Sequence, residues 1–449
     1  MFSLSEQVDT SNPLHLHMLA NLQANILKHH GRRFAWHCFI QFDKSKSDDI
    51  KKWINQFACT ITDAAKQLED AAIHKLNSDY DGGTVCCFFL TKKGYEKLGS
   101  QNIPSDEAFV AGLKNRQAEK LFDAPYSAWE DKFKEVDAMI LLADMQQEKL
   151  QQSYEDLKTQ TGNLFSKLEV QKGEILTNEH GLGIEHFGYA DGVSQPSFIK
   201  DEVAPGKTWD DNSLPEILLV NENVTGHTDC FGSYFVFLKL EQNVERFKAA
   251  EDELGDLLEK EVHEDKKEDF DDEVAGAYLV GRFETSNPVV KYNKEKEVKS
   301  DKEFDNDFDY RYDKAGSKCP FHAHVRLTNP RNGGVSHTAA RIARRGIPYD
   351  EAGRNNDLDF KPSQDVGLLF MCYQVSITKQ FEIIQKAANT GLGKFAIDAV
   401  IGQGENPREQ TWPKQWGMPG ELKHEISKFI TMKGGEYFYA PSIPFLKNL

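Results

Sequence analysis

A chain of 449 residues with 39% hydrophobic and 28% charged side chains is long enough for two or three average domains and needs no disulfide or metal staple. Its formal net charge of −17 disfavours nucleic-acid partners, whose phosphates it repels, and no apolar run approaches the roughly 18 residues of a membrane span. Seven scattered cysteines suit a reducing compartment better than a disulfide framework, and residues 1–19 lack the basic start and apolar centre of a secretory leader; both features point to a cytoplasmic protein.

Residues 33–42 alternate apolar and polar side chains as a half-buried strand does, and residues 48–71 then place apolar positions at helical spacing. A second apolar run at 84–90 leads into a helix from Lys92. A third, at 137–143, precedes a polar amphipathic helix over 146–159. The later chain repeats the idea: 233–240 passes into the helical pattern of 244–258, and 367–375 into that of 378–388. Two runs of strand-to-helix units indicate a duplicated α+β architecture. The polar, turn-rich stretch at 210–215 places the boundary, giving halves of 1–212 and 213–449. Residues 251–273 and 291–313 mix acidic and basic residues with few large apolar ones, as a solvated helix and a surface insertion do.

Three segments carry chemistry. The stretch 185–196 reads Glu-His-Phe-Gly-Tyr-Ala-Asp-Gly-Val-Ser-Gln-Pro, setting Asp191 between two glycines that let the backbone turn and approach a large flat group. In isolation, an aspartate so placed is more often a turn cap. The stretch 319–331, Cys-Pro-Phe-His-Ala-His-Val-Arg-Leu-Thr-Asn-Pro-Arg, concentrates ligand-type and cationic side chains. Cys319, His322 and His324 could be drawn as part of a zinc site, although no second ligand pair at zinc-finger spacing follows. The stretch 341–349, Arg-Ile-Ala-Arg-Arg-Gly-Ile-Pro-Tyr, supplies adjacent arginines.

In this order the segments resemble the dye-decolourising peroxidases, haem enzymes that use hydrogen peroxide. Asn25-Ile26-Leu27-Lys28 with His30-Gly31-Arg32, Gly367-Leu368-Leu369-Phe370 with Tyr373-Gln374, and Gly434-Gly435-Glu436-Tyr437-Phe438 with Ala440-Pro441-Ser442 are similar to that family's opening, distal-strand and closing segments. The likeness spans nearly the whole chain. It implies two ferredoxin-like halves, a dimeric α+β barrel-like arrangement whose antiparallel sheets pack face to face with peripheral helices. It also implies one haem b per chain, held mainly against the C-terminal half.

The resemblance assigns roles residue by residue. Asp191 is the distal acid-base group that takes a proton from one peroxide oxygen and returns it to the other. Arg344 is the distal cation that stabilises charge as the O–O bond polarises, and the spacing before Ile-Pro-Tyr favours it over Arg345. His324 is the iron ligand, with Asp398 as the carboxylate on its other ring nitrogen. Leu368 and Phe370 line the distal pocket; Arg326 and Arg331 are candidate propionate partners. Apart from the resemblance, His322 stands two residues before His324 and on a strand would share its side, near the haem edge, whereas a lone extra histidine is more often structural. Where some relatives carry an asparagine two positions after the distal arginine, this chain has Gly346. The implied reaction is one-electron oxidation of bulky aromatic reductants, with Trp412, Trp416 and Tyr349 among candidate surface electron donors. A haem-handling protein without peroxide turnover is the alternative, but it has no use for Asp191 and Arg344.

Overall fold

The computed structural model describes residues 2–119, 121, 124–202, 213–262, 271–300, 303–332, 340–391, 397–403, 407–418 and 421–449. In the first half, β1 (Phe34–Phe42), β2 (Val85–Leu90) and β3 (Ala138–Asp144) are strands foreseen, and β4 (Phe165–Glu174) is one that the sequence reading lacked. They lie in the order β2-β3-β1-β4, all antiparallel. In the second, β5 (Phe231–Gln242), β6 (Ala343–Arg344), β7 (Ile347–Asp350), β8 (Val366–Gln374) and β9 (Ile430–Ala440) give the order β7-β8-β5-β9, with β6 also on β8. Each half therefore sets its last long strand beside its first and its first beside its third. This is the ferredoxin-like pattern.

The halves join where β9 pairs with β2 at Tyr439 and Leu90, making one continuous sheet. At its far ends β4 and β7 pack side by side: a Cβ on Gly173 would lie 2.7 Å from Ile347 Cγ2, so glycine permits the approach. Among the described residues these two strands share no ladder. The facing inner surfaces bring Phe39, Phe89 and Phe133 of the first half against Phe235, Phe237 and Phe438 of the second. Ring centroids lie 4.9 Å apart for Phe39 and Phe237 and 4.6 Å for Phe89 and Phe235. Each such buried aromatic contributes about 1.5–3 kcal/mol.

The helices include α1 (Ser47–Phe57), α2 (Ala64–Leu76), α3 (Gln147–Thr161), α4 (Val244–Glu261), α5 (Glu273–Val280), α6 (His324–Thr328) and α7 (Phe381–Thr390), alongside one over Pro13–Asn21 and several shorter ones. One helix over 48–71 was the expectation, and the chain instead breaks at 58–63. There Thr62 donates its backbone N–H to Cys86 O and accepts from Ala24 N–H, and Asp63 then caps α2 through Lys66 N–H at 2.7 Å. The expected boundary at 212 falls within 203–212, outside the described residues. Residues 291–313 are more than a surface insertion, because Phe308, Tyr310 and Asp313 are buried. No helix among the described residues is long and apolar enough to cross a membrane.

Candidate active site

Period-two alternation gives β5, β8 and β9 a second apolar face, turned away from the inner core. Leu238 and Leu240, Leu368 and Phe370, and Ile430 and Met432 line there a cavity of about 280 Å³. Helix α7 adds Phe381, Ile384 and Gln385, α6 adds His324 and Val325, and the chain from Tyr189 to Pro196 completes the wall.

Asp191 is aimed by its loop. Gly188 and Gly192 take φ values of +106° and +77°, open to glycine at little cost. Asp191 Oδ1 accepts from Gly192 N–H at 2.7 Å and lies 3.8 Å from Arg344 Nη1, an ion-pair contact too long for a hydrogen bond. Asp191 Oδ2 borders the space beside Gly346, where a Cβ would lie 3.4 Å away. The chain thus leaves a gap beside the carboxylate where a larger residue would intrude.

Neighbouring residues on a strand point to opposite faces, and the two arginines separate accordingly. Arg344, on β6, lines the cavity. Arg345 points into the protein and donates to Asn25 O at 2.7 Å, Ile26 O at 2.6 Å and Arg344 O at 2.7 Å. The opening segment at 25–32 is therefore the socket of Arg345. Asn25, with a φ of +67°, shapes that turn and accepts from His30 N–H.

His324 opens α6 and keeps 28% of its side chain exposed. Its Nδ1 is 2.9 Å from Asp398 Oδ2, while Asp398 Oδ1 accepts from the backbone N–H of Val400 and Ile401 at 2.8 and 2.9 Å. The buried carboxylate is thereby fixed, and Nε2 of His324 is left with a lone pair for a metal. An imidazole ligand, apolar walls, and an acid and a guanidinium in one cavity are a donor set that fits haem.

The expectations for Arg326 and Arg331 need correction, and His322 takes the structural of its two readings. His322 does not approach the cavity: residues 320–323 form a turn, not a strand, and its ring packs edge-on to Trp412 at 4.3 Å. Burial pushes its imidazole down to about 3. Arg326 is absent from the cavity wall because its guanidinium donates to Asp313 Oδ2, Asp313 O and Cys319 O. Arg331 is likewise occupied by Asn306, Phe308 O and Ser194 Oγ. The wall instead presents Arg282 and Arg341, which sequence reasoning missed. Cys319 is buried, and its thiol is pushed up to about 12.

Glu185 and Gln195, which the resemblance gives no role, both line the cavity from the 185–196 loop. Glu185 accepts from Phe187 N–H at 2.9 Å, Tyr189 N–H at 3.1 Å and Gln242 Nε2. Burial outweighs these bonds and pushes its carboxyl from an ordinary 4.5 up to about 7. Between those values the folded chain binds more protons than the unfolded, so this contribution to stability is lost as pH rises through the window. The Tm of the wild type should therefore fall relative to that of Glu185→Gln between about pH 5 and about pH 8. Parallel curves in calorimetry would contradict the assignment.

A family model described as the DyP dimeric alpha+beta barrel domain matches residues 21–175, and one described as Dyp-type peroxidase, C-terminal, matches 218–396. The multifunctional dye peroxidase DyP2 of Amycolatopsis sp. is 36% identical over 463 aligned residues, covering 96% of each chain. Its solved structure superposes with a TM-score of 0.89 at 34% identity over 100% of both chains. The crystal structure of an Anabaena sp. DyP-type peroxidase gives 0.87 at 34% identity, covering 99% of this chain and 97% of that one. A dye-decolorizing peroxidase solved with 2,6-dimethoxyphenol gives 0.78 at 26% identity, covering 96% and 98%. With both family models in chain order and a relative of this identity along almost its whole length, the chain belongs to the dye-decolourising peroxidase family.

Proposed function

We propose that the chain reduces hydrogen peroxide and oxidises bulky aromatic compounds, phenols and dyes, in one-electron steps, using one haem b held by His324. The observation that carries this reading is one cavity holding His324, backed by Asp398, together with the Asp191–Arg344 pair. Noncovalent haem b follows from the lack of a Cys-x-x-Cys-His attachment sequence. Arg341, on the cavity wall, is our candidate for a propionate partner. The seven unpaired cysteines support a cytoplasmic setting, and the matched segments 21–175 and 218–396 support halves of 1–212 and 213–449.

Bound haem supplies the iron at which the peroxide O–O bond is reduced. The protein's part is proton traffic and charge. Asp191 accepts the proton of one peroxide oxygen at Oδ2, the oxygen beside Gly346, and returns it to the departing oxygen, which leaves as water. Arg344 stabilises the negative charge that develops. Asp398 holds the Nδ1 proton of His324 and makes the ring a stronger donor to the metal.

Peroxide-dependent oxidation of 2,6-dimethoxyphenol by the haem-loaded protein tests the reading. Asp191→Asn should lower the rate of the peroxide step by about 10²–10⁴ with haem content unchanged; an undiminished rate would show that this carboxylate carries no proton. Net charge adds a second expectation. At pH 7 the field of a −17 chain repels sulfonated dyes over roughly a Debye length, about 8 Å at physiological salt. Added salt should raise kcat/KM for an anionic dye and lower it for a cationic one, and equal responses would remove the electrostatic argument.

A further inference from the structure

The loop that carries Asp191 also touches the elements that carry the other two groups. Ser194 has a φ of +88°, a left-handed conformation that a non-glycine residue holds only when its surroundings enforce it. Its Oγ accepts from Arg331 Nη2 and from Asn329 Nδ2, the latter at 3.5 Å. Asn329 and Arg331 follow directly on α6, the helix that begins at His324. Arg331 is in turn anchored to Asn306 and Phe308 O, so Ser194 is tied to a fixed post. The next residue, Gln195, accepts through Oε1 the backbone N–H of Arg344 at 3.0 Å. Within five residues the loop thus carries Asp191, grips the end of the His324 helix and grips the backbone of Arg344.

We propose that Ser194 and Gln195 are positioning residues that fix the His324 helix and Arg344 relative to Asp191 around the cavity. The proposal rests on the roles given above to Asp191, Arg344 and His324. Ser194 and Gln195 touch no reacting atom in it. Their effect comes through geometry, to which such steps are sensitive: a displacement near 1 Å costs about 10²-fold.

The test uses the haem-loaded protein and its variants Ser194→Gly, Gln195→Leu and Gln195→Glu, with Asp191→Asn as reference. Ser194→Gly removes the hydroxyl while relieving the left-handed backbone, so its Tm should not fall. Its reaction with peroxide should slow about tenfold, as should that of Gln195→Leu, with the later step toward a phenol unchanged. Amide hydrogen exchange should quicken over 324–331 in Ser194→Gly and at Arg344 in Gln195→Leu. Gln195→Glu keeps the accepting oxygen and should keep the slow exchange at Arg344. If Asp191→Asn is slow while Ser194→Gly and Gln195→Leu match the wild type, the positioning role is overturned and the peroxidase reading stands. If Asp191→Asn also matches the wild type, it is the underlying reading that fails. Slowed peroxide steps with unaltered exchange would equally overturn positioning.

Discussion

Arg344→Leu is expected to slow reaction with peroxide by about 10²–10³ and to leave the fold intact. Arg344 is partly exposed to the cavity, where its Nη1 faces Asp191 at 3.8 Å, and its loss removes a preorganised cation without orphaning a buried group. Arg345→Leu should do the reverse. Arg345 is 4% exposed, and its guanidinium satisfies the carbonyls of Asn25, Ile26 and Arg344. Each buried acceptor left unpaired costs about 1–3 kcal/mol, so this variant should melt several degrees lower while its correctly folded fraction still reacts with peroxide. Stopped-flow mixing alongside thermal melts separates the two. A slower peroxide step in Arg345→Leu than in Arg344→Leu would move the distal role to Arg345.

His324→Ala should abolish or severely weaken haem retention, since among the described residues no other histidine lines the cavity. Asp398→Asn is the finer probe. Its side chain can still accept from Val400 and Ile401, but it no longer offers a negative oxygen to His324 Nδ1. Losses of about 10–100-fold in metal affinity or activity are typical when such a partner is removed. Haem content and the Soret band report both variants. A full complement of haem with an unaltered spectrum in His324→Ala would place the ligand elsewhere.

Chain order and periodicity made much of this legible. The strands are local features, readable from alternation in β1 and apolar runs in β2 and β3, and Asp191 sits in a short loop whose glycines announce the turn. What stayed hidden depends on where a side chain points after the chain has folded. Arg326, Arg331 and Arg345 look as available in sequence as Arg344, yet each ends on buried carbonyls contributed by residues 13–25 or more than 300 positions away. The break between α1 and α2 follows from hydrogen bonds to Cys86 and Ala24, which no window of local sequence contains. His322 stayed open to two readings because two histidines two apart fit a strand, whereas here α6 begins at the second of them. Gln195 lay in plain view, but its partner is 149 residues distant.

The most direct test of the central claim is a visible spectrum of the haem-loaded protein before and after one equivalent of hydrogen peroxide, followed by a phenol. The account predicts a Soret band near one haem per chain that changes within the mixing experiment, returns on adding the phenol, and changes much more slowly in Asp191→Asn. A spectrum indifferent to peroxide, or one that responds equally fast without Asp191, would contradict it.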